Sequence, residues 1–197
     1  MSPLLAALAL SYLVGSIPTA YLVVKWLKRV DVRTIGSGNV GATNVTRAAG
    51  LWAGAGVFIV DLAKGLIAVT VIAPWLLHDP TPAARLACGL LAVVGHSFPV
   101  FLKLHGGKGV ATTIWVLLGA APLIAGACLF VWLAAFAICR YVSVGSLAAA
   151  VTLPVAQLIM HRPLAEIWLG VALAALIILR HRANLARLAQ GREHRIR

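Results

Sequence analysis

The run VATTIWVLLGAAPLIAGACLFVWLAAFAIC, Val110 to Cys139, decides how this chain folds. It is apolar almost throughout, and a membrane-crossing helix needs roughly 20 such residues. The run is therefore too long for one comfortable crossing, and Gly119, Pro122 and Gly126 stand near its middle. A proline at that point removes a backbone donor and favours a break. We read Val110–Cys139 as a hairpin of two short helices.

Upstream of it lie the apolar runs Pro3–Trp26, Leu51–Leu77 and Ala83–Leu104, the second interrupted by Asp61 and Lys64. Downstream come Val144–Met160 and Leu164–Leu179. The expected fold is all-α, a single polytopic membrane bundle over residues 1–197 with seven transmembrane helices. Several runs are short, which implies local bilayer thinning or burial within the bundle. Trp26, Trp52, Trp75 and Trp168 fall near predicted span ends, where interfacial anchors belong.

Cytoplasmic loops carry the excess of Lys and Arg. With the N-terminus outside, the inner side collects Lys25, Lys28, Arg29, Arg33, Arg47, Lys103, Lys108, Arg140 and the arginines of the tail. The outer side keeps Arg85 and Arg162. A six-helix reading, with Val110–Cys139 unbroken, would push the basic tail outside. Merging Val144–Leu179 as well gives five helices with the tail inside, and five is the second reading. The N-terminus has no positive leader ahead of its apolar run, which argues against a cleaved signal peptide.

Composition agrees with the membrane class. Charged residues make up 11% of the chain, against about a quarter in soluble domains. The net charge of +12 sits between apolar runs rather than over a solvated surface, which points to anionic headgroups and phosphate-bearing ligands, not nucleic acid. Cys88, Cys128 and Cys139 lie in apolar segments without metal-ligand or disulfide spacing and read as small packing residues.

The polar stretches all fall on one side of the seven-helix bundle. Ile35 to Arg47 reads IGSGNVGATNVTR. Gly36–Gly41 matches GxGxxG, and Asp61 lies 20 residues on, but a dinucleotide fingerprint needs a βαβ unit and the flanks here are membrane helices. Beyond a plain connector, glycine turns can form anion-binding nests, and Arg47 offers a bidentate phosphate fork. Gly95 to Thr112 carries Gly106-Gly107-Lys108-Gly109. It fails the P-loop pattern, because residue 102 is Leu and Gly109 follows the lysine. Glycine amides, a lysine and a helix start at Val110 would still attract an anion.

Arg140 to Ser146 and Arg180 to Glu193 are weaker alone: ordinary capping in the first, a basic tail on anionic lipid in the second. His96 alone reads as a helix-end histidine. On a helix, His181, Asn184 and Leu188 share a face, as do Asn184 and Arg187. Asp61 and Lys64, at i and i+3 within a span, read first as a neutralising pair. Two anion cradles at one interface suit a reaction between two phosphate-bearing molecules, one of them lipid-like. The competing classes are a membrane transporter for phosphate or a phosphorylated metabolite, and a lipid-binding scaffold without chemistry.

At these residues the chain resembles the bacterial acyl-phosphate:glycerol-3-phosphate acyltransferases. The matching segments are Gly36–Asn44 with Arg47, Gly95-His96 with Pro99, Gly106–Thr112, Arg140–Ser146, and His181–Asn184 with Gly191 and Glu193. The string Asp61–Gly65 is similar to the family's second helix.

The resemblance implies an enzyme of the bacterial inner membrane with its site facing the cytoplasm. It would move a fatty acyl group from acyl phosphate to the 1-hydroxyl of glycerol 3-phosphate, giving lysophosphatidic acid and inorganic phosphate, with no cofactor or metal. It names Ser37, Arg47, Lys108, His181 and Asn184 as catalytic. Substrate binding falls to Gly38, Asn39, Thr43, Asn44, His96, Gly106, Gly107, Gly109, Thr112, Arg140, Ser143, Ser146 and Glu193. Arg47, Lys108 and the Gly106–Gly109 amides would hold glycerol phosphate, and Ser37, Asn39 and Ser146 the acyl phosphate. His181 and Asn184 would orient the attacking hydroxyl, with His181 or a substrate phosphate as base. Glu193 would chiefly pair with a tail arginine. The oligomeric state stays open, and a monomer would suffice.

Overall fold

The structure is a computed structural model that describes residues 2–196. All its regular elements are helical, which bears out the all-α expectation. The first apolar run holds two helices, α1 (Pro3–Ser16) and α2 (Thr19–Lys28). Ser2 caps α1 by accepting the Leu5 amide at 3.3 Å, with Pro3 at the first helical position, where a missing N–H costs nothing. The break falls at Ile17-Pro18. A proline biases the preceding residue away from helix, and Ile17 has ψ of 117°. The sequence reading ran straight through this point.

A loop then leads to α3 (Ala42–Ala49), a short helix separated from α4 (Leu51–Ile67) by Gly50 at φ +91°. Helix α4 continues through a π turn, Ala68–Ile72, into α5 (Ala73–Leu77). Pro74 supplies the reason: its ring cannot accept the regular turn before it, and the wider turn makes room. Helix α6 (Pro82–Ser97) packs closely on α1. Gly15 lies against the Ala92 backbone and Gly95 against the Tyr12 backbone, so no Cβ fits at either glycine. Small residues that let backbones approach are the usual glue of helices in lipid.

The Val110–Cys139 run breaks as expected. Helix α7 (Val110–Ala120) stops at Ala121, and α8 (Pro122–Cys139) starts on Pro122. The two are unequal, with 11 residues against 18. At 1.5 Å per residue α7 is about 16 Å long, roughly half a hydrocarbon core. The bundle closes with α9 (Val142–Ile159), α10 (Leu164–Arg180) and α11 (Arg182–Ala189).

Five segments are long and apolar enough to cross a membrane unaided: Pro3–Lys28, Leu51–Leu77, Pro82–Leu102, Pro122–Cys139 and Val142–Ile159. Helix α10 joins α11 through a 56° bend and supplies a sixth, while α7 is apolar but short. Trp26, Trp52, Trp75 and Trp168 are each more than 60% exposed, as anchors at the bilayer edge should be. The main core threads Val69, Leu86, Val93, Leu117, Leu153 and Leu173, joining α6, α7, α9 and α10.

Candidate active site

Between these helices lies a cavity of about 350 Å³. All four polar segments meet there from separate parts of the chain: Ser37–Arg47, His96 with Lys108-Gly109, Val142–Ser146, and His181 to Ile196. One wall is polar. The rest is hydrocarbon, including Ile114 and Leu117 of α7, Cys128, Leu129 and Trp132 of α8, and Leu153 of α9.

The glycine-rich loop is shaped around Asn44. This side chain is buried and donates to the carbonyls of Val32 at 3.1 Å and Ile35 at 3.0 Å, while its Oδ1 accepts the Ser37 amide at 3.1 Å. Gly36, at φ +55°, has no room for a Cβ because Asn44 Oδ1 lies beneath it. Asn44 was expected to bind substrate. It does line the cavity, beside Ser37, Asn39, Thr43 and Arg47, while its amide is also engaged in holding the loop. Gly38 turns the loop at φ +68° and does not reach the cavity.

The second cradle is also different from its sequence reading. The amide of Gly106 donates to the Ser97 carbonyl at 3.2 Å and that of Gly107 to the His96 carbonyl at 3.0 Å. Neither amide is free for a phosphate. Their carbonyls are held by Arg180, at 2.6 Å to Gly106 and 3.0 Å to Gly107, and the Arg180 guanidinium lies over the Phe98 ring. What reaches the cavity is Lys108, Gly109 and the first turn of α7, whose amides at Val110 and Ala111 have no intrahelical acceptor. Thr112 is buried and donates to the Asp61 carbonyl at 3.1 Å, so it does not line the site.

Arg47 and Lys108 share this one cavity, and neither forms a hydrogen bond or ion pair with another described residue. Burial above all pushes the Lys108 ammonium down to about 8, with Arg187, Arg180 and Arg47 adding to the effect and Glu193 opposing it. The pair is an anion site with its cations unspent.

Glu193 closes the other wall. Burial pushes its carboxyl up, but hydrogen bonds from Asn184, Arg187 and Ser143 outweigh that and hold it below the usual carboxylate range. Asn184 Nδ2 donates at 2.5 Å, Arg187 Nε at 2.7 Å and Ser143 Oγ at 3.0 Å. The expected pair with a tail arginine is present, as Arg187. Glu193 thus organises the wall, since a carboxylate with three donors has nothing to offer an anion.

His181 is buried with Nδ1 at 2.8 Å from the Ile177 carbonyl, so Nδ1 carries the proton and Nε2 is left as an acceptor. The Ser146 hydroxyl donates to the Val142 carbonyl at 2.8 Å and accepts from Trp132 Nε1. Arg140 departs from expectation. It ends α8 in the left-handed region, is exposed, lies outside the cavity, and serves through its carbonyl, which accepts the Ile196 amide at 3.0 Å. Among the described residues no cluster of His, Cys, Asp or Glu is arranged to hold a metal ion.

Sequence reasoning missed Arg180, which read as one more cation at a helix end. The signal for Arg187 was present, since it shares a face with Asn184. His194 and Ile196 also line the cavity, and nothing in their sequence context pointed there.

The bundle and its half-polar, half-hydrocarbon cavity define a multi-pass membrane protein able to handle an anionic headgroup together with an apolar chain. Comparison makes this specific: the chain belongs to the glycerol-3-phosphate acyltransferase family, whose model matches residues 5–191. A glycerol-3-phosphate acyltransferase of Myxococcus xanthus (strain DK1622) is 48% identical over 190 residues, covering 96% of this chain and 98% of that one. One from Synechococcus elongatus is 45% identical over 192 residues, covering 95% and 91%. Two crystal structures of PlsY, an integral membrane glycerol 3-phosphate acyltransferase, share the fold. Its glycerol 3-phosphate form has a TM-score of 0.90 at 40% identity, covering 98% of this chain and 96% of that one. Its lysophosphatidic acid form has a TM-score of 0.86 at 38% identity, covering 98% and 95%.

Proposed function

We propose that this acyltransferase takes its acyl group from acyl phosphate and delivers it to the 1-hydroxyl of glycerol 3-phosphate, at the cytoplasmic face of a bacterial inner membrane. The observation that carries the reading is the meeting of Arg47 and Lys108, neither engaged by another described residue, in a cavity with one polar wall and one of hydrocarbon. A phosphate fits the first part and a fatty chain the second. The gathering of Lys and Arg at one set of span ends supports the orientation, with the N-terminus outside.

In the reaction the glycerol oxygen attacks the acyl carbonyl carbon. The bond from that carbon to the phosphate oxygen breaks, the electron pair leaves on phosphate, and the hydroxyl proton ends there. Phosphate is already a good leaving group, so the protein mainly brings two like charges together and stabilises the developing oxyanion. Arg47, Lys108 and the first-turn amides of α7 hold glycerol phosphate, while Ser37 and Asn39 face the acyl phosphate. Nε2 of His181, left free by the Ile177 contact, orients the attacking hydroxyl and can relay its proton. Asn184 acts with it from the same wall.

Transport is the poorer fit. Leu117, Cys128 and Leu153, each at most 2% exposed, line the apolar part of the cavity, which suits a retained fatty chain better than a passing anion. The test is purified protein given acyl phosphate and glycerol 3-phosphate. Lysophosphatidic acid formed with equimolar phosphate supports the proposal; no product from that pair, with transfer from an acyl thioester instead, refutes the donor.

A further inference from the structure

Charges buried inside the bundle are left over after the substrate contacts are assigned. Asp61 Oδ1 accepts from Lys64 Nζ at 2.6 Å and lies 3.7 Å from His96 Nδ1. Lys64 Nζ also donates to the Ile17 carbonyl at 2.7 Å, at the break after α1, where the Thr19 amide donates to the same oxygen at 2.9 Å. The three side chains are 5, 4 and 9% exposed for Asp61, Lys64 and His96. A buried ion pair is a poor source of stability, and charges at membrane depth usually serve a function.

This unit grips the segment carrying Lys108 from both sides. Ahead of the lysine, the His96 carbonyl accepts the Gly107 amide at 3.0 Å, and the His96 ring lies flush against Gly107, where a Cβ would collide with Nε2. The ring has little freedom to swing aside, because Asp61 stands behind it. Beyond the lysine, the Asp61 carbonyl accepts the Thr112 hydroxyl, and Gly65, one turn along α4, lets the Thr112 carbonyl come against the helix backbone. Asp61 and His96 also line the reaction cavity.

We propose that Asp61, Lys64 and His96 form a positioning unit that fixes where the Lys108 ammonium sits, and so sets affinity for the phosphate of glycerol 3-phosphate; the proposal rests on the acyl-transfer reading above. It reassigns the requirement for glycine at 107. The missing side chain leaves room for the His96 ring, not for a substrate oxygen.

That difference is measurable by a double-mutant cycle on the full chain in detergent, with glycerol 3-phosphate affinity read by calorimetry and kinetics read alongside. Gly107→Ala alone should weaken binding about tenfold by displacing Lys108. His96→Ala alone should weaken it severalfold. In His96→Ala/Gly107→Ala the methyl group occupies the space the ring vacated, so the second change should cost less than about twofold, a strongly non-additive result. His96→Gln keeps the bulk, and Gly107→Ala should stay fully harmful in that background. Throughout, KM for glycerol 3-phosphate should move while kcat and KM for acyl phosphate stay within about twofold.

Independent, multiplying effects would overturn the positioning unit, as would losses confined to kcat. Absence of turnover in the wild-type chain would instead count against the acyl-transfer reading. The calorimetric cycle decides the inference in either case.

Discussion

Glycerol 3-phosphate should bind less well as pH rises above 8, and one substitution should remove the dependence. Burial holds the Lys108 ammonium at about 8, far below a free lysine. A group with a depressed value is charged below it and neutral above it, so the cation is present at pH 7 and lost through pH 8 to 9. The substrate phosphate is dianionic above a second pKa of about 6, so its own charge is constant in that window. If only the charged lysine binds, KM grows by a factor of roughly 1.1 at pH 7 and roughly 11 at pH 9, since each unit beyond the pKa is a tenfold change in the neutral fraction. The expected rise between pH 7 and 9 is therefore about tenfold. In Lys108→Arg the guanidinium stays charged, so KM should be higher throughout but flat over the same range. Labelled lysophosphatidic acid is the product to follow, because hydroxide itself releases phosphate from the donor. A flat wild-type profile, or an equal climb in Lys108→Arg, would refute the reasoning.

Arg47→Lys should lower kcat/KM for glycerol 3-phosphate by about a hundredfold, since a point charge cannot reproduce a two-pronged contact with phosphate; a drop under fivefold in steady-state assays would count against the fork. Glu193→Ala leaves Asn184, Arg187 and Ser143 without their common acceptor and should lower stability by about 1–3 kcal/mol, read as a fall in melting temperature along with kcat. His181→Gln should cut kcat severalfold if a substrate phosphate takes the proton, and a hundredfold or more if the histidine does; an unchanged kcat would remove His181 from both roles.

Much of the fold was legible because lipid imposes a simple rule on the chain. Apolar runs gave the helical segments, and Pro122 gave the break in Val110–Cys139. The Ile17-Pro18 break was missed although the same residue type marks it, because the hydropathy of the run continues unbroken on both sides. Asp61 and Lys64 were recognisable as a pair from their spacing alone. The cavity walls were half legible. Glycine in a sequence says that a side chain would be in the way, but not what it would collide with. At Gly36 the neighbour is Asn44, and at Gly107 it is His96; both glycines had been read as cradles for a ligand. Arg140 lay in a matching segment yet acts through its main chain, which no residue identity can announce.

The inequality of α7 and α8 bears on where an acyl chain could lie. The two meet at Ala121-Pro122, and at 1.5 Å per residue α7 is about 10 Å the shorter. Lys108 sits just ahead of the shorter helix, and Ile114 and Leu117 of that helix line the same cavity. On the acyl-transfer proposal, a fatty chain held against that wall need not be drawn into water, at about 0.8 kcal/mol for each methylene exposed. On the same proposal, the product would leave with its hydrocarbon already sheltered from water.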